Sequence, residues 1–412
     1  MSKEAKIQII RVIVVVGFVF SILVCLAMRE LLHRGYPYNT FLFDPKDRFN
    51  DFFNLQKVRF APYNKLILAG NYFPLFYVLQ IALSVAGTKA AFAVYMLGFL
   101  GFFLAYAWRH LRTSSRIQTL VNTIIFTFLT YPVLFALDRA NSEMWEFALM
   151  SGFIYFFRRA EGTKAGLLLA VAGSLKPFPL LFLMLAVAER RWRDVLVSLT
   201  AVAVLSGIAL RCLGPDMVGN LKGLSANLRE YNRLYAAPGD EGLYFGHSLF
   251  GLLKTGIYFG ARHHHGEAAV NHAVTHLAAA YLVFAVLAAV GVTVYIAAVE
   301  KTFWKKAALI VLAMDLLPLV SADYKLLDML IPLFLFLNAE EQDRYDRTYT
   351  VLFALLLIPK AFYPVSGSLW SVGVVINPLL MTAMAVLIIG TGLAARRSER
   401  VRGQHPQLAL QR

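Results

Sequence analysis

Charge is scarce in this chain. Asp, Glu, Lys and Arg make up only 16% of its 412 residues, against about a quarter in an ordinary soluble domain. That shortage excludes a water-soluble globular protein, because too little polar sequence remains to cover the apolar 58%. Cysteine is rarer still. Cys25 and Cys212 are the only two, each in or beside an apolar run, so no disulfide framework holds the fold. No glycine-rich loop of the kind that cradles nucleotide phosphates is evident, nor any coiled-coil heptad or internal repeat. A small-residue cleavage site is also missing after residues 8–28, which argues for a retained first helix over a signal peptide.

What is abundant is hydrophobicity in long runs. Mean hydropathy is +0.60, and apolar stretches of about 17–25 residues recur, the length that crosses a bilayer as a helix. These runs predict an all-α polytopic membrane protein with about twelve membrane helices. They fall near 8–28, 89–107, 117–137, 142–157, 164–176, 177–189, 194–212, 273–298, 304–320, 324–338, 346–363 and 371–394. The net charge of +15 invites a nucleic-acid reading, but the basic residues gather in short segments between apolar runs, as membrane topology requires. Nucleic acid is therefore not an expected partner.

Orientation follows from those basic segments. Arg109/Arg112/Arg116, Arg158/Arg159/Lys164, Arg190/Arg191/Arg193 and Lys301/Lys305/Lys306 fall on one side, with Arg396/Arg397/Arg400 agreeing at the far end. The positive-inside rule makes that side cytoplasmic. A single crossing over 164–189 would strand one cluster outside, so "GSLKPFPLL" reads as a broken-helix pair with Lys176 at its outer tip, interrupted by Pro177 and Pro179; one kinked span with Lys176 snorkelling to headgroups is the structural alternative. Parity also makes 72–87, "YFPLFYVLQIALSVAG", a shallow helix on the outer face. One integral-membrane domain over 1–395 results, with outer loops 29–71 and 213–272 and a cytoplasmic basic tail over 396–412.

Polar residues cluster in the outer segments. Of Asp44, Asp47 and Asp51, the last stands among aromatics in "FNDFFN". A carboxylate against an apolar wall can act as a general base; capping a helix or pairing with Arg48 is the structural alternative. In "FALDRANSEMWEFAL", Asn141 or Ser142 suits a helix N-cap, while an outer Arg139 suits a phosphate. Glu143 and Glu146 share a helix face, fit for a cation, an ion pair or a solvent-facing turn. His247 in "GHSLFGLL" can donate to a phosphate or hydroxyl, or simply mark a polar helix entrance. The tract His263–His265 completes no closed metal geometry, and no metal is assigned. "SADYKLLDMLIP" supplies Asp323, Tyr324 and Lys325, with Asp315 and Asp328 deeper in the adjoining runs, where ionisable groups need a cavity or a partner. Arg139, Lys176 and Lys325, distant in sequence and all expected on the outer side, point together to a lipid phosphate at the membrane surface.

In order and spacing, "NDFFN", "YFPLFYVL", "LDRANSEMWEFAL", "GSLKPFPLL", "GHSLFGLL" and "SADYKLLDMLIP" resemble one enzyme family. It is the polyprenyl-phosphate-dependent glycosyltransferases of the membrane-embedded C fold, in particular the bacterial mannosyltransferase-like group of family 87. The resemblance extends over roughly residues 45–335. It departs at "YFP", where a double proline is common, and at "GHSL", where an asparagine–glutamine form is common. It implies a C-type helical bundle in the bacterial cytoplasmic membrane with catalytic loops on the extracytoplasmic side. The implied reaction is inverting transfer of a hexose, mannose among them, from a polyprenyl-phosphate monosaccharide to a glycan or glycolipid hydroxyl. Asp51 maps to the family's acidic catalytic residue, and Arg139, Lys176 and Lys325 to its phosphate contacts. Asn141, His247, Asp323 and Tyr324 join them as substrate-binding candidates. Membrane lipids are the surroundings, no cofactor is required, a divalent ion is left open, and oligomeric state is unreadable. A polysaccharide polymerase or lipid-linked oligosaccharide ligase, a transporter or flippase, and a noncatalytic membrane protein are the competing readings.

Overall fold

In a bilayer the backbone must satisfy its own N–H and C=O groups, so apolar runs fold as helices. The computed structural model describes residues 1–404 except 60, 69, 237–241, 262–266 and 365–369; His263–His265 lie outside the described residues. The first helices are α1 (Lys3–Glu30), α2 (Asn50–Leu55), α3 (Pro74–Leu83), α4 (Thr88–His110), α5 (Arg116–Phe128) and α6 (Tyr131–Arg139). They continue as α7 (Glu143–Arg158), α8 (Gly162–Leu175), α9 (Leu183–Ala188), α10 (Trp192–Cys212), α11 (Met217–Tyr231) and α12 (Leu249–Ala261). The chain closes with α13 (Glu267–Ala298), α14 (Phe303–Leu316), α15 (Leu330–Leu337), α16 (Asp346–Leu357) and α17 (Gly373–Gln404). Extended pairing among the described residues is a single antiparallel bridge, Gly246 to Ala322.

The chain is a multi-pass membrane protein, but the expected twelve membrane helices are not found. Among the described residues five helices are long and apolar enough to cross: α1, α4, α10, Ala268–Ala298 of α13 and Gly373–Ser398 of α17. Together α5 and α6 make a sixth if counted as one span bent by 51°. The other six apolar runs fold as α7, α8, α9, α14, α15 and α16, of 16, 14, 6, 14, 8 and 12 residues. At about 1.5 Å per residue the longest reaches about 24 Å, short of a hydrocarbon core of about 30 Å.

Hydropathy misleads here because protein and lipid are equally good apolar surroundings. Every residue of α15 is buried, as is all of α14 except Phe303 and Lys306. In the apolar stretch of α13 only 6% is buried, and in that of α10 only 11%. The long helices thus present apolar surface outward, while the short ones form the protein's own core together with one face each of α1 and α4.

Two breaks position the site. The first lies between α5 and α6, where Pro132 in the first turn of α6 cannot continue the preceding helix. Before it, the hydroxyls of Thr119, Thr123, Thr127 and Thr130 donate to carbonyls one turn back, an arrangement that satisfies them inside an apolar helix and favours bending. The second break follows Leu175. Lys176 is extended (φ −145°, ψ 154°), and a short 3-10 turn over Phe178–Phe182 leads into α9. That turn folds back on α8 so closely that a Cβ at Gly173 would collide with the Leu180 side chain. On the neighbouring face, Gly166 lets α8 approach Val197 and Ser198 of α10, the use small residues have between membrane helices.

Candidate active site

Asp51 lies in the first turn of α2, which starts from Phe49 in the left-handed conformation (φ 59°). The Phe49 amide donates to Asp138 O at 2.8 Å, tying this loop to the end of α6. There Ala140 (φ 49°) is also left-handed and turns the chain so that Arg139 and Asn141 both reach Asp51. Such conformations cost non-glycine residues about 1–3 kcal/mol and cluster where geometry is functional.

The Asp51 carboxylate is held at both oxygens. Arg139 Nη2 donates to Oδ1 and Asn141 Nδ2 to Oδ2, the latter at 2.6 Å. Arg139 also donates from Nη1 to Asp47 O at 3.1 Å, and its guanidinium lies 4.0 Å from the centre of the Phe43 ring. Asn141 is fully buried and saturated. Its Nδ2 also reaches Tyr72 Oη (3.1 Å), while its Oδ1 accepts from Lys176 Nζ (3.1 Å) and the Glu143 amide (3.0 Å).

Lys176 therefore belongs to a buried ionic layer behind the carboxylate. Its ammonium lies 2.8 Å from Glu143 Oε2 and 3.4 Å from Glu146 Oε1, all three side chains being fully buried. Ser142 donates to Glu146 Oε1 at 2.6 Å. The rings of Tyr72 and Tyr324 lie 5.1 and 5.3 Å from Lys176 Nζ. Lys325 is buried as well, with Nζ 3.5 Å from the Phe178 ring centre and 3.4 Å from Met314 O. Glu143 and Glu146 are thus partners of a lysine and do not form a solvent-facing turn.

His247 and Asp323 form a separate buried strap. His247 Nδ1 is 3.0 Å from Asp323 Oδ1, and Nε2 is 2.9 Å from Ser321 Oγ. Tyr131 Oη donates to Asp323 Oδ2 at 2.8 Å. Backbone bonds from His247 N to Ser321 O (2.9 Å) and from Asp323 N to Phe245 O (2.8 Å) flank the Gly246–Ala322 bridge. Burial pulls the His247 imidazole down, but the carboxylates of Asp315 and Asp323 outweigh it and raise its basicity above the usual value.

In front of these layers opens a cavity of about 500 Å³, within the range of small-molecule sites. Of the sequence-derived candidates, Asp51, Arg139 and Tyr324 line it. Asn141, Lys176, His247, Asp323 and Lys325 are buried behind its wall. One edge is acidic and amide-rich, with Asp44, Asp47, Asn50 and Asn54. Another edge is aromatic, carrying Tyr231, Tyr235, Tyr244 and Phe245. Sequence reasoning missed this edge. In a chain that is 14% aromatic, single tyrosines carry no signal; the spacing of Tyr231 and Tyr235, one helical turn apart, was the available clue. Among the described residues no three His, Cys, Asp or Glu side chains are grouped to hold a metal ion.

Such a cavity offers a proton acceptor, an adjacent guanidinium for an anion, and rings beside amides, a combination suited to a sugar. The comparisons agree with that chemistry. The profile described as glycosyltransferase family 87 matches residues 71–322. The match includes Arg139, Asn141, Lys176 and His247, begins after Asp51, and ends one residue before Asp323. No curated protein matches the chain. A match over more than half of the 412 residues, joined to a multi-pass helical fold and this cavity, shows that the chain belongs to glycosyltransferase family 87.

Proposed function

We propose that this glycosyltransferase moves one hexose, mannose being the candidate the sequence resemblance implies, from a polyprenyl-phosphate carrier to a glycan or glycolipid hydroxyl outside the cytoplasm. Asp51 takes the proton of the acceptor hydroxyl as its oxygen attacks the anomeric carbon. The bond to the phosphate oxygen breaks on the opposite face, so the anomeric configuration inverts. Polyprenyl phosphate leaves with the bonding electrons, and Arg139 stabilises the charge that gathers on it. A phosphate leaving group needs no protein acid to protonate it before departure.

The observation that carries this reading is the Asp51–Arg139 pair on the wall of a sugar-sized cavity in a family 87 chain. A guanidinium has five N–H donors, and Arg139 commits two of them, to Asp47 O and Asp51, leaving others for a phosphate oxygen. Lys176, whose charge Glu143 and Glu146 share behind Tyr72 and Tyr324, supports the site by holding Asn141 against Asp51, and Lys325 stays over the Phe178 ring. The lipid tail remains among the apolar helix surfaces and orients the headgroup.

The test is transfer from a labelled polyprenyl-phosphate hexose to short glycans by purified wild type and Asp51→Asn. Loss of turnover by about 10²–10⁴ with donor affinity kept within a few-fold is expected. Near-normal turnover in the folded variant removes Asp51 as the base. A product built from a long saccharide on pyrophosphate would point to a polymerase or ligase. Gradient-driven movement without a new glycosidic bond would point to a transporter.

A further inference from the structure

Helix α11 begins only a few residues after α10 ends at Cys212, and α10 is a candidate membrane span that is barely covered by protein. One face of α11 is closely packed. Gly223 brings it so near the backbone of Asn64 that a Cβ there would lie 3.1 Å from the Asn64 Cα. Buried Asn227 accepts the Leu68 amide at 2.6 Å through Oδ1. The other face is bare. Met217, Val218 and Leu221 are 42%, 65% and 55% exposed, and Lys222 and Arg229 are exposed beside them. At about 3.6 residues per turn these five side chains fill an arc of about 140°, apolar at one edge and basic at the other.

Water is a poor surrounding for the apolar edge and lipid tails for the basic edge; the boundary between them suits both. Lys222 and Arg229 make no ion pair among the described residues, so their charges are available to headgroup phosphates. The position of α11 just past the end of a span places its first turn at that boundary.

We propose that α11 is an interfacial helix that rests on the membrane surface at the cavity's side of the bilayer. It inserts Met217, Val218 and Leu221 and binds anionic lipid headgroups with Lys222 and Arg229. Because α11 ends at Tyr231 and a π-helical turn carries on to Tyr235, both on the cavity's aromatic edge, this contact sets that edge at the height of the headgroups. The partner is the lipid surface itself, whichever sugar the enzyme transfers.

The experiment uses the full chain with Cys25→Ser and Cys212→Ser, carrying an environment-sensitive fluorophore on Leu221→Cys or, as a loop control, on Lys46→Cys. Proteoliposomes of phosphatidylcholine, with none or one third of the lipid replaced by phosphatidylglycerol, are probed with headgroup-nitroxide lipid and with aqueous iodide. The expected result is strong lipid quenching and iodide protection at 221 and the reverse at 46. Lipid quenching at 221 should increase with phosphatidylglycerol, and this increase should vanish in Lys222→Glu/Arg229→Glu. A surface charge near the membrane changes affinity by about fivefold. Iodide access at 221 equal to that at 46 overturns the proposal. Protection from both quenchers overturns it in favour of a protein-covered face, and a response to phosphatidylglycerol that survives the double substitution overturns the headgroup contact.

Discussion

Lys176→Met removes the cation that two buried carboxylates share, and the structure sets the size of the effect. Glu143 and Glu146 lie 2.8 and 3.4 Å from its ammonium with no exposed surface. Deleting one partner of a buried ion pair costs about 3–5 kcal/mol, because the remaining charge has no water to turn to. There is a ceiling, since Glu143 can take up a proton instead, while burial and the Glu143 charge already push Glu146 up to about 7. From an ordinary glutamate value near 4.3, holding a carboxyl neutral costs about 1.4 kcal/mol per pH unit above that value. That is about 4 kcal/mol at pH 7 and about 1 kcal/mol at pH 5. The sign follows from linkage: the unfolded variant releases the proton that its folded form must keep, so the penalty grows as pH rises. Reversible unfolding in mixed detergent micelles, followed by tryptophan fluorescence at the two pH values, measures it. Adding Glu143→Gln should restore most of the loss and flatten its pH dependence, because an amide needs no counter-ion. A loss below about 1 kcal/mol at pH 7, or one equal at both pH values, would refute the claim that a compulsory ion pair lies under the cavity.

The remaining predictions concern the cavity wall and its strap. Arg139→Ala should raise the donor KM about 10–100-fold, the equivalent of one charge-assisted hydrogen bond of about 1.5–3 kcal/mol. Arg139→Lys should fall between, because an ammonium lacks the guanidinium fork; an unchanged donor KM would place the phosphate elsewhere. His247, whose basicity Asp315 and Asp323 raise against burial, contributes stability that is complete below its ordinary value near 6.5 and fades as pH rises through the raised one. The stability difference between wild type and His247→Gln should therefore be largest in mild acid and shrink toward alkaline pH, and a difference independent of pH would contradict it.

Sequence reading succeeded where a residue type has few uses and failed where several surroundings favour the same residues. A lysine followed by two prolines inside an apolar run admits little besides a break, and α8 does end before Lys176. Asp51, Arg139 and Asn141 stood out as polar residues beside long apolar runs, and they meet in space. Membrane crossings were overcounted because hydropathy is blind to whether an apolar side chain faces lipid or protein. The residues Leu330–Leu337 are as apolar as any span and wholly buried in the core. Depth was illegible for a related reason. Lys176 and Lys325 read as cations for a headgroup, yet the structure surrounds one with Glu143 and Glu146 and lays the other over Phe178, contacts between segments far apart in sequence. The aromatic edge gave no warning, since a tyrosine lining a cavity and one packed in a core look alike in one dimension.

The cavity takes its acidic edge from residues near 44–54 and its aromatic lining from Tyr231, Tyr235, Tyr244 and Phe245. The hydrogen bonds that hold Asp51, Arg139, Asn141 and Lys176 in place run to Asp47, Tyr72, Glu143 and one another. Mutational drift can therefore retune which molecule is admitted while the reacting groups pass unchanged from parent to descendant. Paralogues that differ mainly across 231–245 would form a natural library of altered preference on inherited chemistry.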